Sequence, residues 1–192
     1  MSATQTCKVV LGLPTTDDEL LDYAVDPRGR DLLGPHGTTQ QKYTRQVMTP
    51  LGRVAPTWRD CGVKIYPGCT SKSLHAVVKD GPTDVLIIVS HWVDEPAACI
   101  ELFDGMCGVD EIAAALPTDF SGIVDLCICS CAGLAKQVAS RCPGAYVRWI
   151  NSDATPAIWF HIYTSVFLEM FENGTDYLTA LKVTLRRYDD DE

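Results

Sequence analysis

The sequence predicts an α/β fold, a three-layer α/β/α sandwich around a mostly parallel sheet, on three observations. Continuous apolar runs such as TDVLIIVS and IVDLCICS recur along the chain, and unbroken runs of this kind mark strands covered on both faces. Amphipathic stretches of helical length separate them, as crossovers between parallel strands require. The chain has 192 residues, enough for one full hydrophobic core and short for two, so a single domain over residues 1–192 is expected.

The elements follow in order. CKVVLGLP (residues 7–14) reads as a first strand ended by Gly and Pro, and Thr16 with Glu19 offers a capping box for a short helix after it. Residues 26–60 are irregular, interrupted by Pro27, Gly29, Gly34, Pro35, Gly37, Pro50, Gly52 and Pro56, with a weak helical signal at 38–48. Such a segment reads as a solvated loop, a lid or a partner surface. It is also relatively basic, holding Arg28, Arg30, Lys42, Arg45, Arg53 and Arg59. GVKIYPG is the next strand; TSKSLHAVVKDG is a helix capped by Thr70 or Ser71 and closed by Gly81. Then come the strand TDVLIIVS, the helix GVDEIAAALP, the strand IVDLCICS, the helix GLAKQVASRCPG and the strand AYVRWI. Helices at 156–173 and from Thr175 to about Arg187 close the chain, and the acid-rich residues 188–192 are expected to be a solvated tail.

Composition narrows the function. A net charge of −9 disfavours nucleic acid as a direct partner, since phosphate binding needs a basic stripe; a basic peptide is better tolerated. The first ten residues carry no signal-peptide pattern and no stretch is long enough to span a bilayer, so a cytoplasmic protein away from membranes is expected. Nine cysteines, an odd count without an export signal, read as reduced thiols. Phosphate-binding glycine motifs are absent, so no nucleotide cofactor is expected.

In doubly wound sheets the reactive groups gather at the carboxyl ends of the strands. TDVLIIVS leads into His91, and IVDLCICS leads into Cys131. Neighbouring strands would set a thiol beside an imidazole that draws it toward thiolate and later protonates a leaving amine. Strict alternation places Cys127, Cys129 and Cys131 on one face, with Leu126 and Ile128 on the other. Cys127 and Cys129 then serve as small buried apolar groups, and Cys131 sits at the strand exit. Ala132 and Gly133 leave room for a substrate backbone and open a helix whose dipole would lower the thiol pKa. Zinc is not expected on these three cysteines, because same-face strand neighbours are about 6.5 to 7 Å apart and C-x2-C spacing is missing. His75 reads as a surface residue, His161 as part of a packed aromatic face, and His36 as a loop residue.

The order of these parts resembles the CHAT family of caspase-like cysteine peptidases over residues 62–185. LIIVSHW resembles the family's strand ending in a catalytic His, DLCICSCAG its strand ending in the nucleophilic Cys, and WINSDATPAIWFHIYTSVFLEMFENGTDYLTAL its closing strand, loop and helices. The resemblance implies a caspase-like sandwich that cuts a protein substrate through an acyl-enzyme. His91 would be the acid/base and Cys131 the nucleophile, with the backbone N–H groups of Trp92 and Cys131 forming the oxyanion hole. Relatives usually carry Gly where this chain has Trp92, and the turn after the cysteine is shortened. Asp153 would either select Arg or Lys before the cut or cap the helix beginning near Pro156; Asp94, Glu95 and Asp104 are further acids for the cleft. The resemblance also implies a role in bacterial antiviral defence or signalling. At this length there is no room for an accompanying sensor domain, so a separate activator protein is expected. Two other readings stay open: a catalytically silent caspase-like interaction module, favoured by Trp92 and the 26–60 segment, and a flavodoxin-like binding domain with an unreactive Cys131.

Overall fold

The computed structural model describes residues 5–12, 47–93, 98–151 and 155–190. A five-stranded, wholly parallel sheet forms its centre, in the order β2-β1-β3-β7-β8. The strands are β1 (Cys7–Leu11), β2 (Lys64–Tyr66), β3 (Val85–Val89), β7 (Ile123–Cys129) and β8 (Tyr146–Ile150). Alternation along each strand feeds two separate cores. Val9, Val85, Ile87, Val89 and Cys127 turn to one side; Val10, Leu86, Ile88, Val124 and Leu126 turn to the other. The apolar runs of the sequence are continuous because both faces are covered.

The first core is closed by helices α1 (Thr49–Asp60), α5 (Pro156–Asn173) and α6 (Tyr177–Asp190), the second by α2 (Ser71–Lys79), α3 (Val109–Ala115) and α4 (Ala132–Arg141). This is the three-layer α/β/α sandwich. Among the described residues no helix is long and apolar enough to cross a membrane.

Helix α1 corrects the expectation of an irregular segment reaching residue 60. Pro50 sits in its first turn, where a missing N–H costs nothing, but Pro56 lies inside the helix, where the lost hydrogen bond and the ring's clash with the preceding turn together cost about 3 kcal/mol. The buried stripe Leu51, Val54, Ala55 and Trp58 offsets that cost. Trp58 is fully buried, stands edge-on to Phe160, Tyr163 and Phe167 of α5, and donates its indole N–H to Thr164 Oγ1 at 2.8 Å. The weak signal at 38–48 and the Thr16/Glu19 capping box lie outside the described residues. Helix α2 begins as expected, with a reciprocal Thr70–Ser73 capping box, and Gly81 after it adopts φ 69°. The buried Lys8 ammonium adds a cap at its other end, donating to the carbonyls of Val77, Asp80 and Gly81 at 2.8, 2.6 and 3.4 Å. At the chain's end α6 stays helical through Asp190, which corrects the expectation of a tail from residue 188.

A second, antiparallel sheet was not foreseen. Strands β4 (His91–Val93), β5 (Cys99–Leu102) and β6 (Gly105–Gly108) lie in that order. Ile100, Leu102 and Cys107 bury into the second core. Asp104, in the turn between β5 and β6, accepts from the backbone N–H and the hydroxyl of Ser71, both at 3.1 Å, and so is committed to the start of α2.

One charged group lies wholly inside the sheet's first face. Asp125 of β7 is fully buried, paired with Arg148 of β8 at 2.5 Å, and accepts the Tyr177 hydroxyl at 2.5 Å. Arg148 in turn lies 4.5 Å from the ring centre of Trp159. Burial pushes the Asp125 carboxyl up, and Arg148 with Tyr177 pulls it back. Removing one partner of such a pair strands the other charge. Arg148→Met is therefore expected to cost about 3–5 kcal/mol in urea denaturation; a loss below about 1 kcal/mol would show that the pair contributes nothing to this face.

Candidate active site at the carboxyl ends of β3 and β7

Strands β3 and β7 are direct neighbours, parallel, with Val89 paired to Cys127. His91 lies two residues beyond Val89 and opens β4 in the small sheet, Cys129 lies two residues beyond Cys127 at the end of β7, and β4 packs against β7, so both positions follow the carboxyl end of this ladder. Cys131 falls two residues further on. The chain after β3 is held tightly here. The amide of Gly12 donates to the Val89 carbonyl at 2.9 Å, and the Ser90 hydroxyl donates to the carbonyl of Glu101. A Cβ on Gly12 would stand 2.6 Å from the Glu101 carbonyl oxygen and 3.1 Å from Ser90 Oγ. Only glycine lets the ends of β1, β3 and β5 approach this closely.

The cysteine run does not keep its alternation. Strand β7 ends at Cys129, Ser130 takes a left-handed φ of 52° while donating its N–H to the Ile150 carbonyl at 3.0 Å, and Cys131 becomes the N-cap residue of α4. A left-handed residue between strand and helix reverses which face the next side chain meets. Cys127 accordingly packs in the first core, whereas Cys131 joins Leu126 and Ile128 in the second. This corrects the expectation that all three thiols share a face. It also corrects the picture of Cys131 as the open thiol at the strand exit: its exposure is 0%, while Cys129 is half-buried.

Trp92 packs against the same core. Its indole packs on the second core, with Cη2 4.0 Å from where a Cβ on Gly133 would stand. The room expected beside Ala132 and Gly133 is therefore occupied by the indole. Burial pushes the Cys131 thiol up to about 12, although its own backbone N–H, directed at the sulfur, pulls the other way. Burial thus outweighs the helix dipole expected to lower it. Of the two backbone groups expected in an oxyanion hole, the Cys131 N–H faces its own sulfur, and Trp92 stands second in β4, paired with Ile100.

The remaining candidates are scattered. Asp153, Asp94, Glu95 and His36 lie outside the described residues, as does the course of the His91 side chain; the N-cap position of α5 falls to Thr155. His75 is exposed as expected, and His161 is exposed on the outer side of α5 while its neighbours Phe160 and Ile162 are buried. Sequence reasoning missed Glu101, which is buried at 4% exposure directly opposite His91 across the β4–β5 ladder. A lone acid inside the short apolar run CIEL was the available signal, as was Asp125 inside IVDLCIC.

No protein-family model matches the chain, and no curated protein matches it.

Two outcomes follow from the thiol environments. Iodoacetamide at neutral pH is expected to alkylate Cys61 and Cys129, the half-buried thiols, well before Cys131, as read by peptide mass spectrometry; equal rates would contradict the burial described. The buried thiols of Cys7, Cys107 and Cys131 are raised from 9.0 to about 12. A raised acid in the folded state leaves stability flat below pH 9.0 and erodes it as the pH climbs toward 12, by up to about 1.4 kcal/mol per pH unit per thiol. Urea melts across that window should show the fall, with a shallower slope in Cys131→Ala.

Proposed function

We propose that this protein is a caspase-like cysteine endopeptidase in which His91 and a thiol at the end of β7 cut a protein partner through an acyl-enzyme. The observation that carries the reading is the parallel pairing of β3 and β7 up to Val89 and Cys127, with β4, which begins at His91, packed against β7 at the strand carboxyl ends, where α/β folds keep their chemistry. The surroundings favour Cys129 over Cys131 as the nucleophile. Trp92 turns into the second core with Cys131, so strand alternation assigns the neighbouring position 91 to the opposite face, the face that Cys127 serves and that the same alternation assigns to Cys129. In this arrangement the imidazole takes the Cys129 proton, the thiolate attacks the scissile carbonyl, and the imidazolium protonates the departing amine; water then hydrolyses the thioester.

The net charge of −9 and Asp153 support a cut after Arg or Lys, through charge-assisted hydrogen bonds. Free thiols at all nine cysteines suit a reducing, cytoplasmic setting. The resemblance adds a bacterial defence or signalling context, with a separate protein as activator. A second reading, a silent interaction module of the same fold, is favoured by one observation: the Trp92 indole lies over the first turn of α4, where a substrate backbone would need room.

The test is incubation of the purified protein with peptides carrying Arg, Lys or Asp before the cut, together with a thiol-reactive peptidyl probe. The expected result is labelling of Cys129 that survives Cys131→Ala and falls about 10²- to 10⁴-fold in His91→Ala. Labelling confined to Cys131, or spread evenly over the cysteines, overturns the assignment. Full cleavage by the chain alone would remove the need for an activator.

A further inference from the structure

Glu101 is a charged residue on the middle strand of a three-stranded sheet, and it is 4% exposed. A carboxylate so enclosed is costly unless a cation or hydrogen-bond donor meets it. The ladder supplies one candidate. Glu101 pairs with Met106 on one side and with His91 on the other. Met106 brings an apolar thioether and is 54% exposed, so of the two cross-strand neighbours His91 alone can carry charge. Directly opposed residues of an antiparallel pair share a face, with Cβ atoms about 4.5–5.5 Å apart. The alternate residues Ile100 and Leu102 turn into the second core, which leaves Cys99 and Glu101 to the other face. The Ser90 hydroxyl bonded to the Glu101 carbonyl ties the residue before His91 to the same point of β5, so the two strands cannot slip without breaking that bond.

We propose that Glu101 is a positioning residue for His91: its carboxylate accepts a hydrogen bond from the imidazole, holds the ring in the orientation and tautomer that faces Cys129, and stabilises the imidazolium formed when the thiol gives up its proton. The proposal rests on the peptidase reading and adds a third member to its Cys–His pair. Among the described residues, the other ionisable groups on or beside these strands are Cys99 on β5 itself and Asp104, which is already committed to Ser71, with Cys129 at the end of β7.

The experiment compares the unaltered protein with Glu101→Gln, which keeps the volume, and Glu101→Asp, which keeps the charge. Two readouts are taken: the imidazole titration of His91 by NMR, assigned among the four histidines with His91→Ala, and the rate of probe labelling at Cys129. The expected result is a His91 pKa lower by about one unit or more in Glu101→Gln, labelling slowed about 10- to 100-fold, and recovery of both toward normal in Glu101→Asp. A His91 titration unchanged in Glu101→Gln overturns the pairing, whatever happens to labelling. A shifted titration with Cys129 unlabelled in every version confirms the pair but overturns its catalytic use together with the peptidase reading.

Discussion

The parallel ladder between β3 and β7 is the constraint on which the rest of this molecule depends. Its five paired positions run from Val85 with Ile123 to Val89 with Cys127, and all ten residues are buried. Both strands are central and bonded on both sides. A one-residue slip would turn the apolar set of each strand to the wrong core. Because the register cannot drift, the ends cannot drift either, and whatever follows Val89 and Cys127 leaves the sheet at fixed relative heights. The small antiparallel sheet extends that control: β4 begins at His91, and β5 returns to place Glu101 opposite it.

What happens after Cys127 is a contest between two local geometries. A strand that ran on would have kept the three cysteines on one face. A helix that began at Ala132 required the chain to turn first, and Ser130 makes the turn by accepting φ 52°, at a cost of about 1–2 kcal/mol for a non-glycine residue. The result is two thiols, two residues apart, with opposite surroundings. Cys129 stops at the carboxyl end of β7, and Cys131 becomes a residue of the second core, on which Trp92 also packs. Burial then decides the chemistry of Cys131 more strongly than the helix N-terminus does.

Much of the sandwich was legible because its signals are long and consistent. VLIIV and IVDLCIC are continuous apolar strands, Thr70 with Ser73 caps α2, and the aromatic stripe of residues 156–173 makes one long helix. The places where sequence reading fell short share a physical cause: tertiary packing overrode a local rule. Pro56 argues against a helix, yet Trp58 and its aromatic neighbours hold α1 together around it. The strands of the small sheet are three or four residues long, too short for a period to show. The faces of Cys127 and Cys131 were misassigned because one left-handed residue, invisible in composition, interrupts the period-two count. Glu101 was passed over because its meaning lies in its partner across a ladder, which no single-strand pattern contains.

The most direct test of the proposed meeting of positions 91 and 129 is a chemical ruler. In a His91→Cys variant, dibromobimane, which bridges thiols only a few ångströms apart, should join position 91 to Cys129, giving a single cross-linked peptide pair by mass spectrometry. The proposed site, with β4 packed against the end of β7, requires those two to lie within its reach. A bridge to Cys131 instead, or no bridge to β7 at all, would contradict the juxtaposition on which the proposed site is built.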